Sequence, residues 1–213
     1  MSVVVALEAR DASTADAYAQ DLVTNLGFEV RLRRVYLSTT TVEIFACAPV
    51  TSWWRVPWIR SASAHSQGSP TLLGISAVNS LLDEPPARLF LGKLSPPPAS
   101  YCRVQRTIAP ADADALSLPT DVEMLGKSIY AEGDYAQADM PFQPFVFSSN
   151  GSFTVEMSFD TTALTPDGQA QMTLLLGTAD THWFDSIDFK GPEQAKGRQL
   201  LSNVGKSLRA RVE

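Results

Sequence analysis

Histidine and cysteine, the residues that most metal and redox sites depend on, are scarce in this chain. Its 213 residues include two histidines, His65 and His182, and two cysteines, Cys47 and Cys102. No CxxC motif is present, which excludes a thioredoxin-like centre and a zinc ribbon. HxH, HxxxH and HExxH are absent too, so a metal site would need ligands from distant parts of the chain.

Concentrated positive charge and long apolar runs are also lacking. The formal net charge is −6 and no Lys/Arg cluster offsets it locally, which argues against nucleic acid as the main partner. Neither GxxxxGK[ST] nor GxGxxG occurs, so phosphate cradling is not expected. No apolar run reaches the roughly 18 residues of a membrane-spanning helix, and no transmembrane span is predicted.

Catalytic motifs are equally poor, and we predict that the protein is not an enzyme. There is no GxSxG nucleophile elbow. In "SFTVEMSFD" the alternation places Glu156 and Asp160 on a solvated strand face rather than in a paired-carboxylate site. A hydrolase is therefore the least supported function, because no activated nucleophile can be identified.

What the sequence does contain is a repeated period of two, which is typical of half-buried strands. "FEVRLRR" places Phe28, Val30 and Leu32 on one face, and Phe153–Asp160 alternates in the same way. Further strands are predicted at Val3–Ala9, Thr41–Cys47, Arg88–Lys93, Tyr101–Thr107, Ser128–Ala131 and Gln171–Leu176. This pattern predicts an all-β protein, an antiparallel β-sandwich with long loops.

Helical signals are few. "PADADAL" resembles a capped single turn, with Asp112 or Asp114 accepting from backbone N–H groups. The tail Pro192–Arg211 predicts a short C-terminal helix, with Arg209 and Arg211 near its end, where they suit the helix dipole. Without a repeat or a clear linker, residues 1–213 are predicted to form a single domain.

The two cysteines each belong to a predicted strand. Cys47 ends "TVEIFAC" and Cys102 lies in "YCRVQRTI", a placement that suits a bridge between two sheets. Such a bridge would stabilise the fold by roughly 4 kcal/mol and indicate an oxidising compartment. The alternative is two buried free thiols.

The two histidines both lie among small and polar residues. They occur in "SASAHSQGSP" and "GTADTHWFDSIDF", where neither resembles a core position. Copper and zinc both accept neutral imidazole, so the pair could share a metal ion; the alternative is two unrelated surface side chains. Three aspartates flank His182: Asp180, Asp185 and Asp188. They could orient its imidazole or bind the metal themselves; the alternative is that they are solvated residues of a turn.

Residues 48–70 form a long segment rich in tryptophan. Trp53, Trp54 and Trp58 could form a platform on which a ligand stacks. The alternative is that this segment folds over an open end of the sandwich as part of its core.

The order of several short segments resembles the MbnP-like copper-binding domain family, found in methanobactin operons and in bacterial surface or periplasmic proteins. "AHSQGSPTLLG", "LSPPPASYCRV" with "APADADA", and "WFDSIDF" carry the likeness, which runs from about residue 26 to 208. The resemblance implies a secreted or lipid-anchored β-sandwich that holds one copper ion, Cu(I) or Cu(II), through histidines. It also implies oxidation of a tryptophan to kynurenine in association with a dihaem MauG-like peroxidase.

Carried onto this chain, the resemblance makes His65 and His182 the metal ligands, with Trp183 or Trp58 as the modified tryptophan. It supports the Cys47–Cys102 bridge as well. The sequence opens with "MSVVVALEAR", without a basic n-region or cleavage site, so the protein is either cytosolic or written here without its leader. The family likeness favours the second, with the protein in the periplasm or on the cell surface.

Two functions follow as expectations. The first is an extracytoplasmic copper-binding protein for copper acquisition or storage, or as the substrate of a haem enzyme. The alternative is a metal-free surface module that binds a partner protein or glycan through the tryptophan-rich loop 53–58.

Overall fold

The protein folds as an all-β sandwich of two sheets with one C-terminal helix, as predicted. The computed structural model describes residues 2–9, 21–47, 69–82, 88–164, 171–178 and 182–213. The strands are β1 Ser2–Glu8, β2 Asp21–Val23, β3 Phe28–Ala46, β4 Leu72–Ser80, β5 Arg88–Leu94, β6 Ala99–Ile108, β7 Ile129–Gln137, β8 Gln143–Ser149, β9 Phe153–Leu164, β10 Gln171–Thr178 and β11 Leu208–Val212. A 3₁₀ turn, His182–Phe184, and helix α1, Glu193–Ser207, separate the last two strands.

The smaller sheet has four strands in the order β11-β10-β1-β5. β1 pairs in parallel with β10 and antiparallel with β5, so this sheet is mixed. β1 is apolar on both faces, as expected of a central strand. At its end the buried Glu8 accepts from Arg88 at 3.2 Å and from Arg211 at 2.9 and 3.0 Å, which ties β1 to β5 and β11.

The larger sheet has seven strands built on β3, with the path β8-β7-β3-β6-β9 and with β2 and β4 also paired to β3. β7 pairs with residues 28–37 of β3 and β6 with residues 41–46. The sequence pattern predicted two separate strands here, but they form one strand of 19 residues. The segment between them, "VYLSTT", consists mainly of β-branched and aromatic residues, which favour extended backbone.

The apolar faces of the two sheets meet in one main core. The contributing side chains are all nearly inaccessible to solvent, and they include Val3, Val5, Leu7, Leu174 and Leu176 from the smaller sheet and Val30, Leu32, Leu37, Ile44, Val104 and Ile129 from the larger. The alternation predicted for β9 is confirmed, because Met157 and Phe159 are buried while Glu156 and Ser158 are exposed. Burial of this kind supplies the main driving force for the fold.

A long loop, residues 109–128, connects β6 to β7 and builds a second, smaller apolar cluster with Val78 and Tyr130. The segment "PADADAL" lies in this loop and forms a hydrogen-bonded turn, not the predicted turn of helix. The N–H of Ala115 donates to the carbonyl of Asp112 at 3.3 Å. Among the described residues no helix is long and apolar enough to cross a membrane.

The C-terminal helix is shorter than predicted. α1 ends at Ser207, and residues 208–212 form β11 against β10. Arg209 still donates to the carbonyl of Lys206 in the last helical turn, as expected, but Arg211 instead binds Glu8. The pattern "LRARV" alternates apolar and charged residues, which favours the strand.

The predicted disulfide is present between Cys47 and Cys102, with 5.5 Å between their Cα atoms. Its expected position was wrong, because Cys47 follows β3 and Cys102 lies on β6, and these are neighbouring strands of the same sheet. The N–H of Cys47 donates to the carbonyl of Ser100 at 2.7 Å, which extends the pairing past the end of β3. The bridge therefore fastens two strands of one sheet and closes the chain between them.

Removing the bridge should lower the free energy of unfolding by roughly 4 kcal/mol, because it closes a long loop that the unfolded chain would otherwise leave open. The residues are 55 apart in sequence. The double variant Cys47→Ser/Cys102→Ser should unfold at lower urea concentration than the oxidised protein. Reductant should bring the wild type to the same midpoint and leave the variant unchanged; a wild type indifferent to reductant would contradict the prediction.

The larger sheet buries one cation, Arg106 of β6, completely. Its Nε and one terminal nitrogen donate to Thr39 Oγ1 at 2.9 and 2.7 Å, and that nitrogen also donates to Asn79 Oδ1 at 3.3 Å. Within the described residues no carboxylate pairs with it. Burial lowers the pKa of Arg106 to about 9, so the guanidinium is still charged at neutral pH and depends on these neutral acceptors.

Thr39→Val should therefore destabilise the protein by about 2–4 kcal/mol, since it keeps the side-chain shape but removes the main acceptor of a buried charge. Thr40→Val is the matched control, because Thr40 is only half-buried and makes one long bond, 3.4 Å, to the carbonyl of Thr107. Adding Arg106→Met to Thr39→Val should recover much of the loss. Equal unfolding midpoints in urea for the two threonine variants would contradict this account.

Candidate functional site

The segment after β10, "HWFDSIDF", is the part of the candidate site that the structure describes most fully. It starts with the 3₁₀ turn and runs to Phe189, and its four apolar residues, Trp183, Phe184, Ile187 and Phe189, are all buried. The rings of Phe184 and Phe189 pack among Phe28, Tyr135, Phe145 and Phe147, with centroids 4.5–6.4 Å apart. The segment is therefore anchored in the core by its aromatic residues.

Trp183 is one of the largest fully buried side chains in the described residues. Its indole Nε1 donates to Ser207 Oγ at 3.0 Å, and Ser207 Oγ donates to the carbonyl of Val204 at 2.8 Å. These bonds connect the turn to the end of α1. The structure thus gives Trp183 a role in packing, while its oxidation stays a prediction.

His182 lies at the surface end of the same segment, with 69% of its side chain exposed. Its Nδ1 is 2.8 Å from Asp185 Oδ2, and because a carboxylate can only accept, Nδ1 carries the proton. In the neutral ring this leaves Nε2 as the nitrogen with a lone pair. A carboxylate that holds the imidazole in one tautomer is the arrangement that orients histidine ligands in metal sites.

Asp185 is held in place by the backbone around it. Its Oδ1 accepts from the N–H of Asn25 at 2.9 Å, and Asn25 exchanges two further hydrogen bonds with Ser186, at 2.7 and 3.2 Å. Asn203 of α1 donates to the carbonyls of Trp183 and Asp185 at 2.9 and 2.8 Å. The turn also contains Ser186 at a φ of 60°, an unusual conformation for a residue with a side chain.

For the aspartates around His182, the sequence allowed two roles: support of the imidazole or solvation of a turn. Asp185 orients the imidazole, whereas Asp188 accepts from the N–H of Lys190 at 2.9 Å and simply stabilises a turn. Asp180 lies outside the described residues. Asn25 and Asn203 were missed by sequence reasoning, although Asn203 belongs to the closing segment "LLSNVGKSL" of the family likeness.

His65, Trp53, Trp54 and Trp58 also lie outside the residues that the structure describes, so the meeting of the two imidazoles stays a prediction. Across the described ranges, no group of three or more His, Cys, Asp or Glu side chains is arranged to hold a metal ion.

Glu156 and Asp160 occupy the exposed face of β9, as predicted. Hydrogen bonds from Gln105 and Arg103 hold the pKa of Glu156 below its ordinary value, which keeps it ionised. This is the chemistry of a surface ion pair rather than of a general acid.

A polar cleft of about 540 Å³ lies where β4 and β5 approach the loop 117–121. Its charged residues are already engaged: Arg88 binds Glu8 and Glu213, and Asp121 accepts from Arg34 at 2.8 Å. The cleft accordingly offers hydroxyl and amide groups, without an activated nucleophile among its described lining residues.

No family model, curated protein or solved structure matches this chain.

Asn203→Ala should lower the free energy of unfolding by about 1–3 kcal/mol, because it removes the donor to two backbone carbonyls of the turn. Ser202→Ala, the exposed neighbour on α1, is the control and should be near neutral. Urea unfolding measures the stability, and hydrogen exchange of the amides at residues 183–187 measures the turn. Protection of those amides that is unchanged in Asn203→Ala would show that the turn does not depend on this side chain.

Proposed function

We propose that this protein binds copper outside the cytoplasm, with His182 as one ligand and His65 as the other. The observation that carries the proposal is the 2.8 Å hydrogen bond from His182 Nδ1 to Asp185. That bond fixes the tautomer in which Nε2 is the coordinating nitrogen, at an exposed position on a turn anchored by buried aromatic residues.

The donor set fits copper better than zinc. Cu(I) is content with two or three ligands, and neutral imidazole suits it, whereas a structural zinc site needs four. With two histidines in the whole chain, a two-imidazole site is the largest that histidine alone can supply. Bound copper would supply a redox-active cation, and the chain's own residues would hold and orient it for acquisition or storage rather than catalysis.

The disulfide supports the extracytoplasmic placement, because such bonds persist mainly in oxidising compartments. The likeness to the MbnP-like family implies a location in the periplasm or on the cell surface, with or without a lipid anchor. It also implies a partner, a dihaem MauG-like enzyme that would oxidise Trp183 or Trp58 to kynurenine. Peptide mass spectrometry of protein from its native host would detect that modification.

Cu(I) titration of the purified protein against a chromogenic chelator should give one ion per chain. His65→Ala and His182→Ala should each abolish this binding, because each removes one of two imidazoles. Asp185→Asn should weaken it by about 10–100-fold, the usual effect of losing the partner that orients a histidine ligand. Asp188→Asn is the matched control from the same segment and should bind as the wild type does.

Unchanged binding in both histidine variants would end the copper proposal. A wild type that binds no Cu(I) would favour the second candidate, a metal-free surface module that contacts a partner protein or glycan through loop 53–58, whose three tryptophans motivate it. It would be supported by a protein that binds no Cu(I) but loses glycan or partner binding in Trp53→Ala or Trp58→Ala.

A further inference from the structure

A groove of about 590 Å³ runs between α1 and the start of β9. Its floor is apolar and consists of Phe153 and Val155 from β9 and Leu201 from α1. Phe153 and Val155 are only half-buried, although the residues that follow at the same spacing on β9, Met157 and Phe159, are buried. At its start the inward face of β9 therefore packs against the core but is also partly open to solvent in this groove.

Gly205 lines the groove beside the Phe153 ring. A Cβ atom at this position would lie 2.5 Å from the ring of Phe153, so a side chain here would require that ring to shift. The glycine leaves room for the Phe153 ring, which is part of the groove lining.

The rim of the groove is cationic. Arg198, Ser202 and Lys206 are exposed and lie four residues apart on α1, in one row along the helix that spans about 12 Å. The described lining includes no aspartate or glutamate. On a chain whose net charge is −6, this is a local excess of positive charge beside an apolar surface.

We propose that the groove binds a free monocarboxylate with an unbranched alkyl chain, the chemistry of a medium-chain fatty acid. The alkyl chain would cover Phe153, Val155 and Leu201, while the carboxylate pairs with the guanidinium of Arg198, whose planar fork matches its two oxygens. The volume lies within the range of small-molecule sites, and the combination of an apolar floor with a few polar anchors is typical of them.

Isothermal titration with decanoate, below its micelle concentration, tests the proposal on the full chain. We expect saturable binding of one molecule. Decyltrimethylammonium should not bind, because its head is a cation, and decanol should bind at least about tenfold more weakly, because it cannot form the charge-assisted pair.

Two variants locate the site. Ser202→Trp places an indole over the groove from an exposed helix position and should abolish decanoate binding, whereas Glu193→Trp, also exposed on α1 but on another face and outside the lining, should not. Arg198→Gln should weaken binding by about tenfold or more, and Lys190→Gln, a cation away from the groove, should leave it unchanged. Circular dichroism and unfolding midpoints confirm that each variant is folded.

Failure of the wild type to bind decanoate would overturn the proposal. Unchanged affinity in a folded Ser202→Trp variant would overturn it too, because binding would then be elsewhere. If the protein sediments with phosphatidylglycerol vesicles but does not bind free decanoate, the groove would be assigned to a lipid surface. This result would overturn the proposal as well. Loss of binding in both Ser202→Trp and Arg198→Gln, with both controls intact, would establish the site.

Discussion

The candidate metal ligand depends on the packing of an aromatic turn. Trp183, Phe184 and Phe189 are buried between the larger sheet and α1, and this burial fixes the backbone on which His182 and Asp185 sit. An exposed imidazole on an unsupported loop would lose considerable rotamer freedom on binding a metal. Here folding already restricts the backbone of the turn, because the aromatic core and the hydrogen bonds from Asn25 and Asn203 hold it before any ligand binds.

Much of the fold could be predicted because alternation is a local signal. The strands of residues 28–34 and 153–160 were visible in their period of two, and the disulfide followed from two cysteines on predicted strands. The sequence did not show that β3 is continuous, or that Cys47 and Cys102 join neighbours within one sheet. Both depend on which strands pair, and pairing is set by contacts between residues far apart in the chain.

The candidate site was harder to foresee for the same reason. "HWFDSIDF" was recognised as a motif, but its letters do not reveal that Asp185 faces the imidazole while Asp188 caps a turn. Asn25 lies about 160 residues from Asp185 in sequence, so its role could not be found by spacing. His65 lies outside the described residues, and its meeting with His182 remains the step of the copper proposal that needs experiment.

Helix α1 shows how a short element can serve several surfaces at once, because residues four apart on a helix share a face. Leu200 and Val204 enter the core, while Asn203 and Ser207 on the next row hold the His182 turn through its backbone and through Trp183. Gly197 lets the helix approach β8, since a Cβ there would collide with the backbone of Ser148, and Gly205 leaves room for the ring of Phe153. The remaining row, Arg198, Ser202 and Lys206, is the rim of the groove. Glycine is unfavourable inside a helix, but the packing of α1 requires it at both positions, and the packed helix positions both candidate sites.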